Sequence, residues 1–443
     1  MEYQGLTRMV TEELGGVYAR EVLADMAEAI RLYQCYDGVG QMWESDQTDY
    51  VPTRQVTNFV RKLIDKEARF MFSRAPEITL EGDGEGVKAL QEYVRKALEK
   101  TGLSAKLSAA GRDCFIGRRV ALKLWQGEDG AEAIFCPSTE FVFETEPENA
   151  DRLQKIIFFH AINDEAERKN QRLWKQRFYM ENGRCLVDEA IYDGYGRMIE
   201  PVMLGKDTGL TFIPAYVVIN DALTGDLRGT SDVALMMADQ DRYNRLKSDE
   251  ADALKFHLFP ITVAKNASGK CLDKMKISPG ALVDLQTDPA AGEGVQASLE
   301  KLESKFAYVD ALEGALARTK ADMYALLEVP DISVDTLSGV ITSGKAMQTL
   351  YWELKCKAEE RWLAWDKCLR WLVDGVIALG RARGEKLPQT EYRIRIEHLY
   401  PVTDDEDAER TLDLKEVEQG VRSVESYREK WGIEPFLYTG DGV

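Results

Sequence analysis

Residues 350–379 constrain this chain more than any other stretch. Leu350, Leu354, Ala358, Trp362, Trp365, Leu369, Leu372, Val376 and Leu379 recur at steps of 4, 4, 4, 3, 4, 3, 4 and 3. That spacing averages close to the helical repeat, so it predicts a single helix of roughly forty residues with a continuous apolar face. Trp352, Trp362, Trp365 and Trp371 lie on it. They read as core-packing or subunit-contact positions rather than as a base-stacking platform.

Just before this helix stands SGVITSGKAM, residues 338–347, in which Gly339, Gly344 and Lys345 fit the phosphate-loop spacing G-x-x-x-x-G-K. The chemistry does not follow the spacing. A phosphate loop needs a hydroxyl after the lysine to ligate magnesium and a buried apolar strand before its first glycine. Residue 346 is Ala346, and the preceding EVPDISVDTL is broken by Pro330 and two aspartates. The stretch therefore reads as a loop whose Ser343 caps the helix that follows.

Upstream, the pattern changes twice. Residues 1–50 read as helical with glycine breaks. Pro52 suits a helix start, Val56, Val60 and Leu63 mark an apolar stripe, and Pro76 prevents continuation. Short helices are expected at about Val87–Lys100 and Ser104–Ile116. From Arg118 to about residue 220 the period drops to two, as in RRVALKLW and QKIIFFHAIN, which makes the first half a mixed α+β unit. Past Gly229 a long helix begins, with Ser231 and Asp232 available as caps and Pro260 as its stop. Residues 260–297 read as a compact insertion with short strands. A second long helix is expected over 298–328, and the chain closes with a strand near 391–400 and two short acidic helices.

The totals exclude several classes of function. The formal net charge of −19 is wrong for a chain that grips DNA over most of its surface, because such binding comes from neutralising phosphates. MEYQGLTRMV lacks the basic start and apolar run of a secretory signal, and no apolar stretch is long enough to span a membrane. The seven cysteines form no C-x-x-C pair and read as reduced, mostly buried thiols. His160, His257 and His398 sit far apart without metal-ligand spacing, and neither G-x-S-x-G nor H-E-x-x-H occurs. No metal or cofactor is expected.

The order of elements then carries a resemblance. TNFVRKLIDKEARFMFSRAPEI, AAGRDCFIGRRVALKLW, IFCPSTEFVFETE, GTSDVALMMADQDRYNRLKSDEADAL with Asn244 and Ser248, and VPDISVDTLSGVITSGKAM resemble, in that order, segments of the portal proteins of tailed bacteriophages. The resemblance runs from about residue 50 nearly to the end. It implies an α+β portal-type fold assembled as a ring, usually of twelve copies. Residues 1–230 would form a wing, 231–259 the first stem helix, 260–297 a clip, and 298–329 the second stem helix. A tunnel loop over 330–343, a return to the wing over 344–402 and a short crown over 403–443 would complete the subunit.

The implied role is a non-enzymatic channel for double-stranded DNA at one vertex of the virion capsid, assembled in the host bacterial cytoplasm. Implied partners are other copies of itself, the terminase large subunit, a head-completion or adaptor protein, and the major capsid and scaffold proteins. The alternatives are a P-loop packaging ATPase and a non-portal adaptor ring. The resemblance places Asp331, Ser333, Asp335, Ser338, Thr342, Ser343 and Lys345 on the DNA-facing tunnel loop. It places Asp239, Arg242, Arg245, Asp249 and Asp252 on the channel face of the stem. Lys265, Lys270, Lys274 and Lys276 would serve as clip docking residues, with strand-edge protection as their competing role.

Overall fold

The computed structural model describes residues 4–41, 51–127, 130–162, 172–258, 261–267, 286–290, 292, 294–302, 308–332, 348–401 and 406–433. They are an α+β mixture. The chain divides into two compact units. One comprises Met1–Asp37, Val60–Met236 and Tyr324–Val443, and the other Gly38–Phe59 and Met237–Met323.

In the first unit, helices α1 (Gln4–Leu14) and α2 (Gly16–Asp37) form a hairpin that turns at Gly15. The φ of 79° there is left-handed and costs a glycine little. Met9, Val10, Ala19, Val22 and Met26 of this hairpin pack on Val142, Ile157, Phe159 and Leu173. Those four residues belong to an antiparallel sheet of β4 (Phe141–Glu146), β5 (Asn149–Ile162), β6 (Arg172–Glu181), β7 (Arg184–Tyr192) and β8 (Met198–Asp207), paired in chain order. Glu13 at the end of α1 reaches β6, where it pairs with Lys175 and, at 3.0 Å, with Arg177. Helix α5 (Leu103–Gly117) leads into the second sheet, which sets β2 (Arg119–Gly127) between β3 (Gly130–Pro137) and β9 (Ala215–Ile219).

The helical stripe of the C-terminal half becomes α8 (Trp352–Ala382), which packs on β2, β3 and β9. It buries Leu354, Trp362, Trp365, Leu369, Leu372, Val373 and Val376. Each fully buried aliphatic side chain of this kind stabilises by about 1.5–3 kcal/mol. Phe72, the last residue of α3 (Phe59–Phe72), sets its ring edge against Trp362 and Trp365 at 5.2 and 5.0 Å. At 31 residues the helix is shorter than the sequence stripe predicts, and Gly384, with φ of 89°, follows its end. A satellite core joins α8 to α4 (Glu85–Thr101) and to the two-stranded ladder of β1 (Glu77–Glu81) and β12 (Arg393–Glu397) through Leu90, Val94, Ile377 and Ile394. Helices α9 (Glu406–Glu418) and α10 (Val424–Lys430) close the chain. Asp413 ties them together, ion-paired with Arg422 at 2.8 Å and Lys430 at 2.7 Å and accepting from the Trp431 indole at 2.9 Å.

The second unit holds most of α6 (Asp232–Leu258) and of α7 (Val309–Leu326), together with the ladder of β10 (Ile261–Lys265) and β11 (Ser298–Leu302). Two expectations fail here. Residues 298–302, expected to begin the second long helix, form a strand instead. SLEKL pairs antiparallel with ITVAK, so Ser298 meets Lys265 and Leu302 meets Ile261. The segment after Pro52 is not a helix start either. Residues 51–58 carry no regular structure, and α3 begins only at Phe59. Their backbone groups are drawn to α6, as described next.

Candidate functional site

Four polar side chains stand four residues apart on α6, and each accepts a hydrogen bond from the segment that precedes α3. Gln240 Oε1 accepts from the Phe59 N–H at 2.9 Å, Asn244 Oδ1 from Thr57 at 3.0 Å, and Ser248 Oγ from Gln55 at 3.0 Å. The Asp252 carboxylate takes the Thr53 N–H at 3.0 and 3.1 Å and also accepts from the Thr53 hydroxyl. The registers agree because four helical residues rise about 6.0 Å and two extended residues about 6.6 Å. Every second backbone N–H of the segment therefore meets the next turn of the helix. Gln240 also donates to the Thr57 carbonyl at 2.9 Å, and Asn244 donates to Gln41 at 2.9 Å. All four side chains are buried, as such groups are when they are satisfied. Burial pushes the Asp252 carboxyl up, but the Thr53 bonds and Lys255 outweigh it and hold the pKa below its ordinary value.

The first residue of α6 takes part in a second polar cluster, within the first unit. Gly229, in the GTSD turn, has φ of 72°, and a Cβ there would lie 2.7 Å from the Asn220 carbonyl, so the turn requires glycine. Ser231 supplies the cap, accepting at 3.4 Å from the Ala234 N–H while its hydroxyl donates to the Ile116 carbonyl at 2.6 Å. Asp232 is then released from capping and points at α8. Arg361 bridges Asp232 at 2.6 Å and Glu67 of α3 at 2.5 Å, and Lys357 lies 3.1 Å from Glu67 and 3.6 Å from Asp232. The Arg361 guanidinium also stacks 4.3 Å over Phe115. Two carboxylates and two cations thus balance in a site where Glu67 keeps 1% of its side-chain exposure. Burial lifts the Glu67 carboxyl above its ordinary range, with Arg361 opposing. Burial alone would lower the Arg361 pKa, but Asp232 and Glu67 reverse that and leave it raised.

The same cluster anchors the chain ahead of the loop. Lys357 donates to the Leu327 carbonyl at 3.2 Å, and Lys66 donates to the Pro330 carbonyl at 2.5 Å. Asp331 is half-buried and lies within electrostatic reach of Lys66. The remaining predicted loop residues, Ser333, Asp335, Ser338, Thr342, Ser343 and Lys345, lie outside the described residues, as do Lys270, Lys274 and Lys276. Lys265 is exposed on β10 and pairs with Glu300 of β11 at 2.6 Å. On α6, Arg242, Arg245 and Asp249 share an exposed face and Asp239 is half-buried. Asp252 corrects its sequence assignment: at 7% exposure it is the anchor of residues 51–58 and not a surface charge. Sequence reasoning missed Glu67, Lys357 and Arg361 altogether. The signal for the other site was legible as polar residues at i, i+4, i+8 and i+12 along a helix.

Among the described residues, no group of three or more His, Cys, Asp or Glu is arranged to hold a metal ion. None of the described helices is long and apolar enough to cross a membrane. The family model for phage portal proteins of the SPP1 Gp6-like type matches residues 18–433. This chain belongs to the phage portal protein family. Two solved structures are similar to this portal-family chain at low identity. "Virion of native gene transfer agent (GTA) particle" has TM-score 0.44 and 11% identity over 92% of this chain and 94% of that one. "Neck of native GTA particle computed with C12 symmetry" has TM-score 0.45 and 12% identity over 85% and 89%. No curated protein matches the sequence.

Proposed function

We propose that this portal-family chain closes into a ring, of about twelve copies by analogy with its family, through which double-stranded DNA enters and leaves a phage head. The carrying observation is the family match across residues 18–433. In this reading α6 and α7 are stem helices, residues 260–302 form the clip, residues 330–343 form the tunnel loop, and residues 403–443 form a short crown. The clip boundary moves to 302 because β11 belongs with β10.

The physical chemistry agrees with a conduit. A net charge of −19 repels phosphate, and a wall that repels the duplex lets it slide. Arg242, Arg245 and Asp249 would face the passage or the neighbouring stem. The tunnel-loop serines, with Thr342 and Lys345, would touch the DNA backbone weakly and without sequence preference. The clip lysines would dock the terminase motor during filling and a head-completion protein afterwards, and the wing would meet capsid and scaffold proteins. The energy source is a separate ATPase chain.

Electron microscopy of the purified protein in negative stain tests this directly. Rings with a central hole are expected. A chain that stays monomeric at high concentration and beside capsid components overturns the reading. In a packaging assay, deletion of residues 335–341 should impair filling or retention of the genome.

A further inference from the structure

A closed ring of identical subunits needs two different faces that fit one another, because each copy meets one neighbour with its front and the other with its back. The first unit presents two such faces. One is a cleft of about 1280 Å³. Leu223, Leu235, Leu326 and Leu363 line it, and they are 82%, 43%, 44% and 69% exposed. Four open leucines in one concavity are more apolar surface than scattered surface positions explain. The cleft's charge has one dominant sign. Beyond the buried cluster, Asp151, Asp221, Glu328, Glu360 and Asp374 outnumber Arg152 and Lys367.

The other face is the outer side of α3. In a chain that is strongly acidic overall, Arg61, Lys62 and Arg69 are exposed on this one helix, and Arg74 is exposed just past its end. Tyr36 and Tyr324 lie beneath Arg61 and Lys62 at 5.4 and 5.6 Å, giving the ridge an aromatic base. The two faces stand on opposite sides of the buried ion cluster. Asp232, Lys357 and Arg361 line the cleft and hold Glu67 on the inner side of α3. At 3.6 residues per turn, Arg69 stands roughly 160° around the helix from Glu67, and Lys62 roughly 140°. Cleft and ridge therefore point in opposing directions, as front and back contacts must.

We propose that the acid-rimmed leucine cleft receives the basic α3 ridge of a second copy of this chain, and that this junction repeats around the ring. The inference rests on the ring reading above and names the surfaces that close it. Leucines supply the apolar contact, while the opposed charges set register and exclude front-to-front pairing.

Sedimentation velocity on the full chain tests it with two variants at exposed positions. Leu363→Asp blocks the cleft, and Arg69→Glu with Arg74→Glu inverts the ridge. Each variant alone should remain monomeric at concentrations tenfold above those at which the wild type forms rings. An equal mixture should form a two-copy species and stop there, because one intact cleft meets one intact ridge. If Leu363→Asp misfolds, Leu223→Asp, at a position 82% exposed, blocks the same cleft without making it complementary to the inverted ridge. Wild-type rings with both variants assembling normally overturn the junction. A mixture that stays monomeric overturns the pairing of these two faces. A wild type that never assembles removes the ring reading, and this inference with it.

Discussion

Replacing Arg361 with methionine removes one cation from a cluster of two carboxylates and two cations. Glu67 and Asp232 would then share Lys357 alone, in surroundings where their side chains retain 1% and 3% of their exposure. Breaking a buried ion pair from one side costs about 3–5 kcal/mol, because the partner stays buried without compensation. The urea dependence of a 443-residue chain exceeds the roughly 1–3 kcal/mol per molar of small proteins, so the unfolding midpoint should fall by up to about 1 M. Trp362 and Trp365, on the same helix and 2% and 1% exposed, report the transition by fluorescence. The loss also carries a pH signature. The Glu67 pKa is raised, so the stability it contributes is full below the unfolded value of about 4.3 and is lost as pH climbs through the folded value. Without Arg361 the folded value rises further, so the deficit should be smaller at pH 5 than at pH 8. Adding Glu67→Gln restores charge balance and should recover part of the loss. A deficit under about 1 kcal/mol, or one equal at both pH values, would refute the reasoning. Protein concentration must be held constant, since assembly adds to apparent stability.

Three further outcomes follow from the polar row on α6 and from the loop. Asn244→Leu strips Thr57 of its acceptor and should destabilise by about 1–3 kcal/mol, with faster amide exchange at Thr57 and its neighbours and little change in β2. The depressed Asp252 pKa gives stability that is present above the unfolded carboxyl value of about 3.9 and lost as pH falls through the folded one. Protection of the Thr53 amide, measured against its intrinsic exchange rate at each pH, should therefore drop in acid in the wild type but show no such step in Asp252→Asn. Lys345→Ala should leave phosphate release from ATP at the buffer background, where the unmodified protein should also lie; turnover lost in the variant would restore the phosphate-loop reading.

How much of this was legible depended on the distance over which each signal acts. Leu354 through Val376 announced α8 because a helix repeats within its own sequence. The alternation in RRVALKLW announced β2 for the same reason. The segment 51–58 was misread because Val56, Val60 and Leu63 fit the stripe of the helix that follows, and nothing local reveals that its amides are taken by residues nearly two hundred positions away. SLEKL was misread because its leucines continue the spacing of α7, and only pairing with ITVAK makes it a strand. Glu67, Lys357 and Arg361 looked like ordinary charges on helices, and their burial is a property of three elements meeting. The family resemblance implied where a stem and a loop would lie, and its placing of Asp252 on a channel face does not fit the burial of that side chain. The row of Gln240, Asn244, Ser248 and Asp252 was present in the sequence and marked a partner in extended conformation.

That row has a consequence for the order of events during synthesis. A helix can wind within about a microsecond, but closing a loop of some two hundred residues comes late. Residues 53–59 emerge first and wait, and until they dock on it α6 exposes four thirsty side chains where its finished surface should be. A polypeptide that is complete but not yet folded would therefore offer its siblings the wrong outline, and entry into the proposed ring would wait for the newborn chain to tie its own knot.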